Sequence, residues 1–270
     1  MTIWHMRQEV LFVSVGLGLV ILASHETPAH AQLQQSPIDI RSENTVVDSL
    51  PSLNFTYSDD TELAIINTGS PGEFGTIEAL VEDGAGILEF ESEEFELKQF
   101  HFHSPSEHTL DGQAFPGELH LVHESDDGDL LVVARWIQEG NFNVLLDPIF
   151  SNLPPLETST EIPINNFELS SLLPNDLASY QFTGSLTTPP FTEGVQWVVL
   201  NETLELSQGQ LDNFQTLFPN GNARDVQSLS SRIVQTDIVE STAVPEPAST
   251  LSLLALGVIA AGGTLKKQTA

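Results

Sequence analysis

His101, His103 and His120 are the residues whose type and spacing could do chemistry together. In Gln99-Phe100-His101-Phe102-His103 two imidazoles lie two residues apart, and on a strand alternate side chains share a face. Gln99, His101 and His103 therefore point one way, while Phe100 and Phe102 point the other way, into a core. Seventeen residues after His103 the segment Glu118-Leu119-His120-Leu121-Val122-His123 repeats the alternation, with Glu118, His120 and Val122 on one face. The turn-rich stretch from Leu110-Asp111-Gly112 to Pro116-Gly117 would return this second strand antiparallel and set His120 opposite the first pair. Three neutral imidazoles with a fourth position open to water make a catalytic rather than a structural zinc site. A single histidine of this kind would read as a satisfied core residue. Three on facing strands read as the ligands of one Zn2+ per chain, although such a set also accepts other divalent metals.

Metal-bound imidazole donates its other ring N–H to a carboxylate or a carbonyl. Gln99 is placed to receive it from His101, and Glu118 from His120. His108 and His123 fall off the ligand face and are expected to make structural hydrogen bonds. The chain has no cysteine, so the site must be built from histidine and carboxylates. Stability must then come from packing and bound metal, because no disulfide can form.

The elements that position these residues read as strands. Short apolar, β-branched runs recur between Gly, Pro, Asn and Asp clusters: 64–66, 75–81, 86–90, 95–103, 118–123, 130–137 and 195–200. Residues 207–217 form the best helix candidate, with Ser207 as N-cap and Leu211, Phe214, Leu217 and Phe218 on one face, stopped by Pro219-Asn220-Gly221. The expected fold is mainly β (α+β), a single domain around a large, mostly antiparallel twisted sheet with a few short peripheral helices.

The order Gln-Phe-His-Phe-His, Pro105-Ser106-Glu107-His108, Glu-Leu-His-Leu-Val-His and Gly184-Ser185-Leu186-Thr187-Thr188-Pro189-Pro190 resembles the alpha carbonic anhydrases. Gln35-Ser36-Pro37-Ile38-Asp39-Ile40 and Asn222-Ala223-Arg224 match further segments in the same order, so the likeness spans roughly residues 35–233. It implies reversible hydration of carbon dioxide to bicarbonate by zinc-bound hydroxide. It also implies that Thr187 accepts a hydrogen bond from that hydroxide and donates its own to Glu107, aiming the nucleophile. By the same resemblance Thr188 contacts bicarbonate and the Asn222 carbonyl orients His103, while Arg224 reads as structural. An apolar substrate needs an apolar wall. Val122 follows the third ligand on its own strand face, and Val132, Leu186, Val195 and Trp197 match the family's pocket positions.

Three departures stand out. Fast members carry a proton-shuttling histidine in an Asn-x-Gly-His element, where this chain reads Asn67-Thr68-Gly69-Ser70. Proton transfer should then depend on buffer, or on a carboxylate such as Glu73. The aromatic N-terminal segment is nearly absent, and Phe191 stands where extracellular members place a disulfide cysteine. A non-catalytic surface protein of the same fold is the alternative, but such relatives typically lose a ligand, and all three are kept with Glu107 and Thr187. Weak esterase activity would be a side reaction.

The ends read differently from the middle. Residues 1–31 have the parts of a secretory signal: Arg7, the apolar run 10–23 and Ala29-His30-Ala31 before cleavage near Gln32. Val244-Pro245-Glu246-Pro247, the apolar run 251–265 and Lys266-Lys267 resemble a PEP-CTERM sorting tail over 244–270. Such a tail would enter the inner membrane transiently, basic end inside, and meet a sorting protease. Domain bounds follow as 1–31, 32–243 and 244–270, with a secreted product in the periplasm or at the surface of a Gram-negative-type cell. Between the ends, 35 acidic residues face five basic ones. That balance argues against nucleic acid and anionic lipid as partners; the oligomeric state is not legible.

Overall fold

The computed structural model describes residues 34–69, 74–155 and 158–239. The signal-like segment 1–31, the tail 244–270, and Ser70 and Glu73 lie outside the described residues.

Among the described residues, fourteen strands and two short α-helices follow in chain order. The strands are β1 (Asp39–Ile40), β2 (Val46–Val47), β3 (Asn54–Tyr57), β4 (Thr61–Asn67), β5 (Ile77–Val81), β6 (Gly86–Phe90) and β7 (Glu93–His103). They continue as β8 (Thr109–Leu110), β9 (Gly117–Ser125), β10 (Leu130–Glu139), β11 (Thr158–Phe167), β12 (Ser179–Ser185), β13 (Glu193–Leu206) and β14 (Gln235–Thr236). The helices are α1 (Asp147–Phe150) and α2 (Gln208–Leu217).

Twelve strands form one sheet in the order β11-β4-β5-β7-β9-β10-β13-β12-β14-β2, with β6 beside β7 and β3 outside β6. Within it, β10–β13 and β14–β2 run parallel and the other pairs antiparallel. The sheet is thus mixed but mostly antiparallel, as the short connections predict. The separate pair β1–β8 is parallel.

The period-two alternation builds a core on each face. Phe100, Phe102, Leu119, Leu121, Leu131, Val133 and Val198 face one way and pack under Phe150 of α1 and Phe214 of α2. Ser207 caps α2, and its reciprocal bonds with Gln210 satisfy two main-chain N–H groups that the first turn would leave free. Val132, Ala134, Trp136, Trp197 and Val199 face the other way, in a second core with Tyr180 and Phe182. The histidines stand on this second face.

Strand β7 carries two of the three histidines, and its register against β9 decides the chemistry. His101 pairs with His120, His103 with Glu118 and Gln99 with Val122. On its other side β7 pairs with β5, which sets Glu78 beside His101 and Leu80 beside Gln99. Directly paired residues share a face. One row therefore runs Glu78, His101, His120, Ala134 across four strands, and the next runs Leu80, Gln99, Val122, Val132, Trp197 across five.

Candidate metal centre

His101, His103 and His120 converge. Their rings stand 5.0, 5.1 and 4.7 Å apart pairwise, and His120 Nδ1 is 3.3 Å from His101 Nε2. One nitrogen from each lies within 4.8 Å of the others, and all three residues are buried.

Pure acceptors set the tautomers. Gln99 Oε1 receives the His101 Nδ1 proton at 2.8 Å, and the Asn222 carbonyl receives that of His103 Nδ1 at 3.3 Å. Both leave Nε2 with its lone pair free. Glu118 Oε1 is 3.1 Å from His120 Nε2, without hydrogen-bond alignment, and it is Nδ1 of this ring that faces the other two imidazoles, 3.3 Å from His101 Nε2. His103 Nε2 is buried and has no hydrogen-bond partner. Burial holds His101 well below the ordinary imidazole range, with His103 and His120 adding to the effect. Burial also lowers His103, against a partial opposing pull from Glu107. Buried, oriented imidazoles whose nitrogens converge fit a divalent metal of zinc's type.

Glu118 is the most heavily used acceptor at the site. Its Oε2 takes the main-chain N–H of Glu107 and of His108, each at 2.8 Å, and its Oε1 takes His108 Nδ1 at 2.7 Å. Burial alone would raise this carboxyl, but His108 and His120 hold it well below the usual carboxylate range. His108 is thus a structural partner. His123 points to the opposite face, where Nδ1–H donates to the Leu131 carbonyl at 3.3 Å and Nε2 accepts from the Tyr57 hydroxyl at 2.6 Å.

Glu107 is buried beside the imidazoles. Its Oε1 accepts the main-chain N–H of Arg224 at 2.8 Å, while Oε2 lies 3.5 Å from His103 Nε2 and 3.9 Å from His120 Nδ1. Among the described residues no hydrogen bond joins Glu107 to Thr187, because the free carboxylate oxygen is turned toward the rings. Thr187 and Thr188 line a cavity of about 140 Å³ together with Gln99, His101, His120, Val122, Val132, Leu186 and Trp197. Leu130 completes its wall and was not anticipated. It precedes Val132 by two on β10, so the alternation itself carried that signal. Val195 is fully buried in the core that holds Trp197 and does not line the cavity. Asn222 does more than orient His103: its Oδ1 accepts from Ser104 N–H and its Nδ2 donates to the carbonyls of Phe102 and Gly75.

Two further residues escaped the sequence reading. Glu78 is half-buried on the site's face, and burial raises its carboxyl. Arg224, read as structural, supplies the N–H that holds Glu107. Glu78 carries no local motif and is brought in by strand pairing, while the Arg224 contact with Glu107 runs through a main-chain N–H across 117 residues.

The profile described as Eukaryotic-type carbonic anhydrase matches residues 23–238, and the PEP-CTERM protein-sorting motif matches residues 243–267. A carbonic anhydrase of Pectobacterium carotovorum is 38% identical over 200 residues, covering 74% of this chain and 78% of that one. One from a Nostoc strain is 38% identical over 204 residues, covering 74% and 75%. Among solved structures, the alpha-carbonic anhydrase of Thermovibrio ammonificans, in complex with the inhibitor sulfanilamide, superposes with a TM-score of 0.69 at 35% identity, covering 75% of this chain and 86% of that one.

Proposed function

The chain belongs to the alpha, or eukaryotic-type, carbonic anhydrase family, and from that premise we propose that His101 Nε2, His103 Nε2 and His120 Nδ1 hold one zinc ion at which carbon dioxide is reversibly hydrated. The observation that carries this reading is the convergence of three buried imidazoles, each with its second nitrogen facing an acceptor. When bound, zinc supplies the Lewis acid that makes water a nucleophile near neutral pH, a property of the family's metal.

The residues of the chain do the rest. Gln99, the Asn222 carbonyl and Glu118 hold the three rings with their lone pairs inward, so little reorganisation is needed on loading. Val122, Leu130, Val132, Leu186 and Trp197 form an apolar wall of the small cavity, a space that suits an uncharged substrate. The Thr187 hydroxyl borders the same space. Turned toward Glu107, which as a carboxylate only accepts, it would have to donate there and would present its lone pairs to the reacting oxygen. Thr188 is placed to meet bicarbonate.

Proton release has no histidine to pass through at 67–70. Asn67 is buried and donates to the Pro154 carbonyl, so it offers no substitute. Buffer is the proposed proton acceptor.

The sorting motif marks an exported protein. We further infer cleavage near Gln32, transient insertion of 244–270 in the inner membrane, and removal of that tail by a sorting protease, leaving the domain in the periplasm or at the cell surface. Among the described residues no helix is long and apolar enough to cross a membrane.

Stopped-flow carbon dioxide hydration tests the assignment with three samples: the zinc-loaded chain, the same chain after chelation, and His120→Ala. Loss of activity in the last two is expected. Equal rates in all three would overturn it.

A further inference from the structure

Arg224 touches none of the three imidazoles, yet the segments that frame them meet on it. Its main-chain N–H holds Glu107 Oε1 at 2.8 Å. Two residues earlier in the same turn, the Asn222 carbonyl holds His103. Its guanidinium donates from Nη1 to the Ser36 carbonyl at 2.6 Å and from Nη2 to Gln35 Oε1 at 3.0 Å. The same guanidinium lies 3.8 Å over the ring of Phe191, a cation–π arrangement. Phe191 closes the loop that begins at Thr187: its N–H donates to the Thr188 carbonyl at 2.8 Å, and its own carbonyl accepts from Gln35 Nε2 at 3.3 Å.

The N-terminal residues are themselves anchored. Ser36 N–H donates to Ser185 Oγ at 3.0 Å, and Arg232 Nη2 donates to the Gln35 carbonyl at 2.7 Å. Ser36 lies directly on the main chain of β12, where a Cβ on Gly184 would stand 2.1 Å from Ser36 Oγ. Only glycine permits that approach.

We propose that Arg224 is a positioning residue for this site. It fixes the 222–224 turn, which aims Glu107 and His103, against the Thr187–Phe191 loop, and its anchor is the N-terminal pair Gln35–Ser36. The chain has no cysteine, so this three-way junction is wholly non-covalent. The proposal deepens the metal-site reading and rests on it, because the geometry being held is that of Glu107 and Thr187 relative to the ligands. Among the described residues, Glu107 is faced by His103, His120 and the main-chain N–H of Arg224.

The test uses the full chain with Arg224→Ala, Arg224→Lys, Phe191→Ala and Gln35→Ala. In the zinc-loaded proteins, Arg224→Ala should lower kcat about ten-fold with KM unchanged, since small misplacements of aiming groups cost rate rather than binding. Phe191→Ala and Gln35→Ala should act in the same direction but less strongly. Arg224→Lys should recover part of the loss, because a point charge keeps one acceptor but cannot form the planar pair and stack. In the metal-free proteins, amide exchange over 222–225 should quicken in the same rank order. If only the melting temperature falls, with kcat and exchange at wild-type values, Arg224 is merely structural and the proposal is wrong. Should Arg224→Ala fail to fold, Phe191→Ala and Gln35→Ala decide on the same two readouts. A wild-type chain inactive with zinc would refute the metal reading, while the exchange series would still decide whether the junction holds the turn.

Discussion

His101 and His120 face each other across β7 and β9 with Nε2 and Nδ1 3.3 Å apart. With a nitrogen of His103 these two lie within 4.8 Å of one another in a buried site, close enough to share one cation. Metal loading should therefore stabilise the fold markedly. With zinc at about 1,000 times its dissociation constant, linkage gives about 4 kcal/mol, or roughly 10 °C in melting temperature for a domain of this size. Calorimetry with and without chelator measures it. Coincident melting curves would mean that the imidazoles do not bind the ion in the folded state.

Glu118 accepts from three donors with two oxygens, the N–H groups of Glu107 and His108 and His108 Nδ1, and its Oε1 also lies 3.1 Å from His120 Nε2. Glu118→Gln keeps the shape but puts an NH2 against two of them. A buried donor left without an acceptor costs about 1–3 kcal/mol, and metal affinity should fall about 10–100-fold through the re-aimed His120. Competition with a chromophoric chelator reads the affinity directly. A Glu118→Gln chain that binds zinc like the parent would show that the carboxylate's charge is not needed.

What was legible in the chain follows from range. Alternation along β7 and β9 is local, so Gln99, His101, His103, Glu118 and His120 could be assigned to one face from spacing alone. The helix α2 and its Ser207 cap were equally local. Strands β11 and β12 were missed for separate reasons. Pro163 interrupts β11, which tolerates it as an edge strand paired only with β4. Strand β12 is polar in sequence, Ser-Tyr-Gln-Phe-Thr-Gly-Ser, and is buried by its neighbours β13 and β14 rather than by its own pattern. Asn222 came into view only through family resemblance, and Arg224's tie to Glu107 not at all, because main-chain atoms leave no signature in residue type.

His123 gives a pH dependence of stability whose sign can be worked out. Burial holds its imidazole down at about 4, with Tyr57 and Leu131 fitting the neutral ring. In the unfolded chain it titrates near 6.5. Below about 6.5 the unfolded state binds the extra proton, so stability falls as pH drops and levels off near 4, a loss of up to about 3 kcal/mol. His123→Gln can keep an acceptor for Tyr57 and a donor for Leu131 without titrating. Urea midpoints of both metal-free proteins should run parallel above pH 7 and converge or cross as the parent weakens between pH 6.5 and 4. A constant difference across that range would contradict the assignment.

The wall that faces His101 from β5 holds Glu78, Ile66 stands beyond it on β4, and the stretch 67–70 holds no histidine. A proton produced at the metal must reach bulk water, and without a relay whose pKa lies near that of the site the transfer falls to whatever base can diffuse to the cavity mouth. Turnover at saturating carbon dioxide should therefore rise with buffer concentration and level off only when the chemical step takes over. The rise should be steeper for imidazole-type buffers than for bulkier ones, since the cavity holds only about 140 Å³. The ratio kcat/KM, which reports the hydration step itself, should stay flat over the same series. Rates already at their ceiling in dilute buffer would show that some group of the chain carries the proton. Glu78→Gln would then be the substitution to make, with a return of buffer dependence identifying Glu78 as that group.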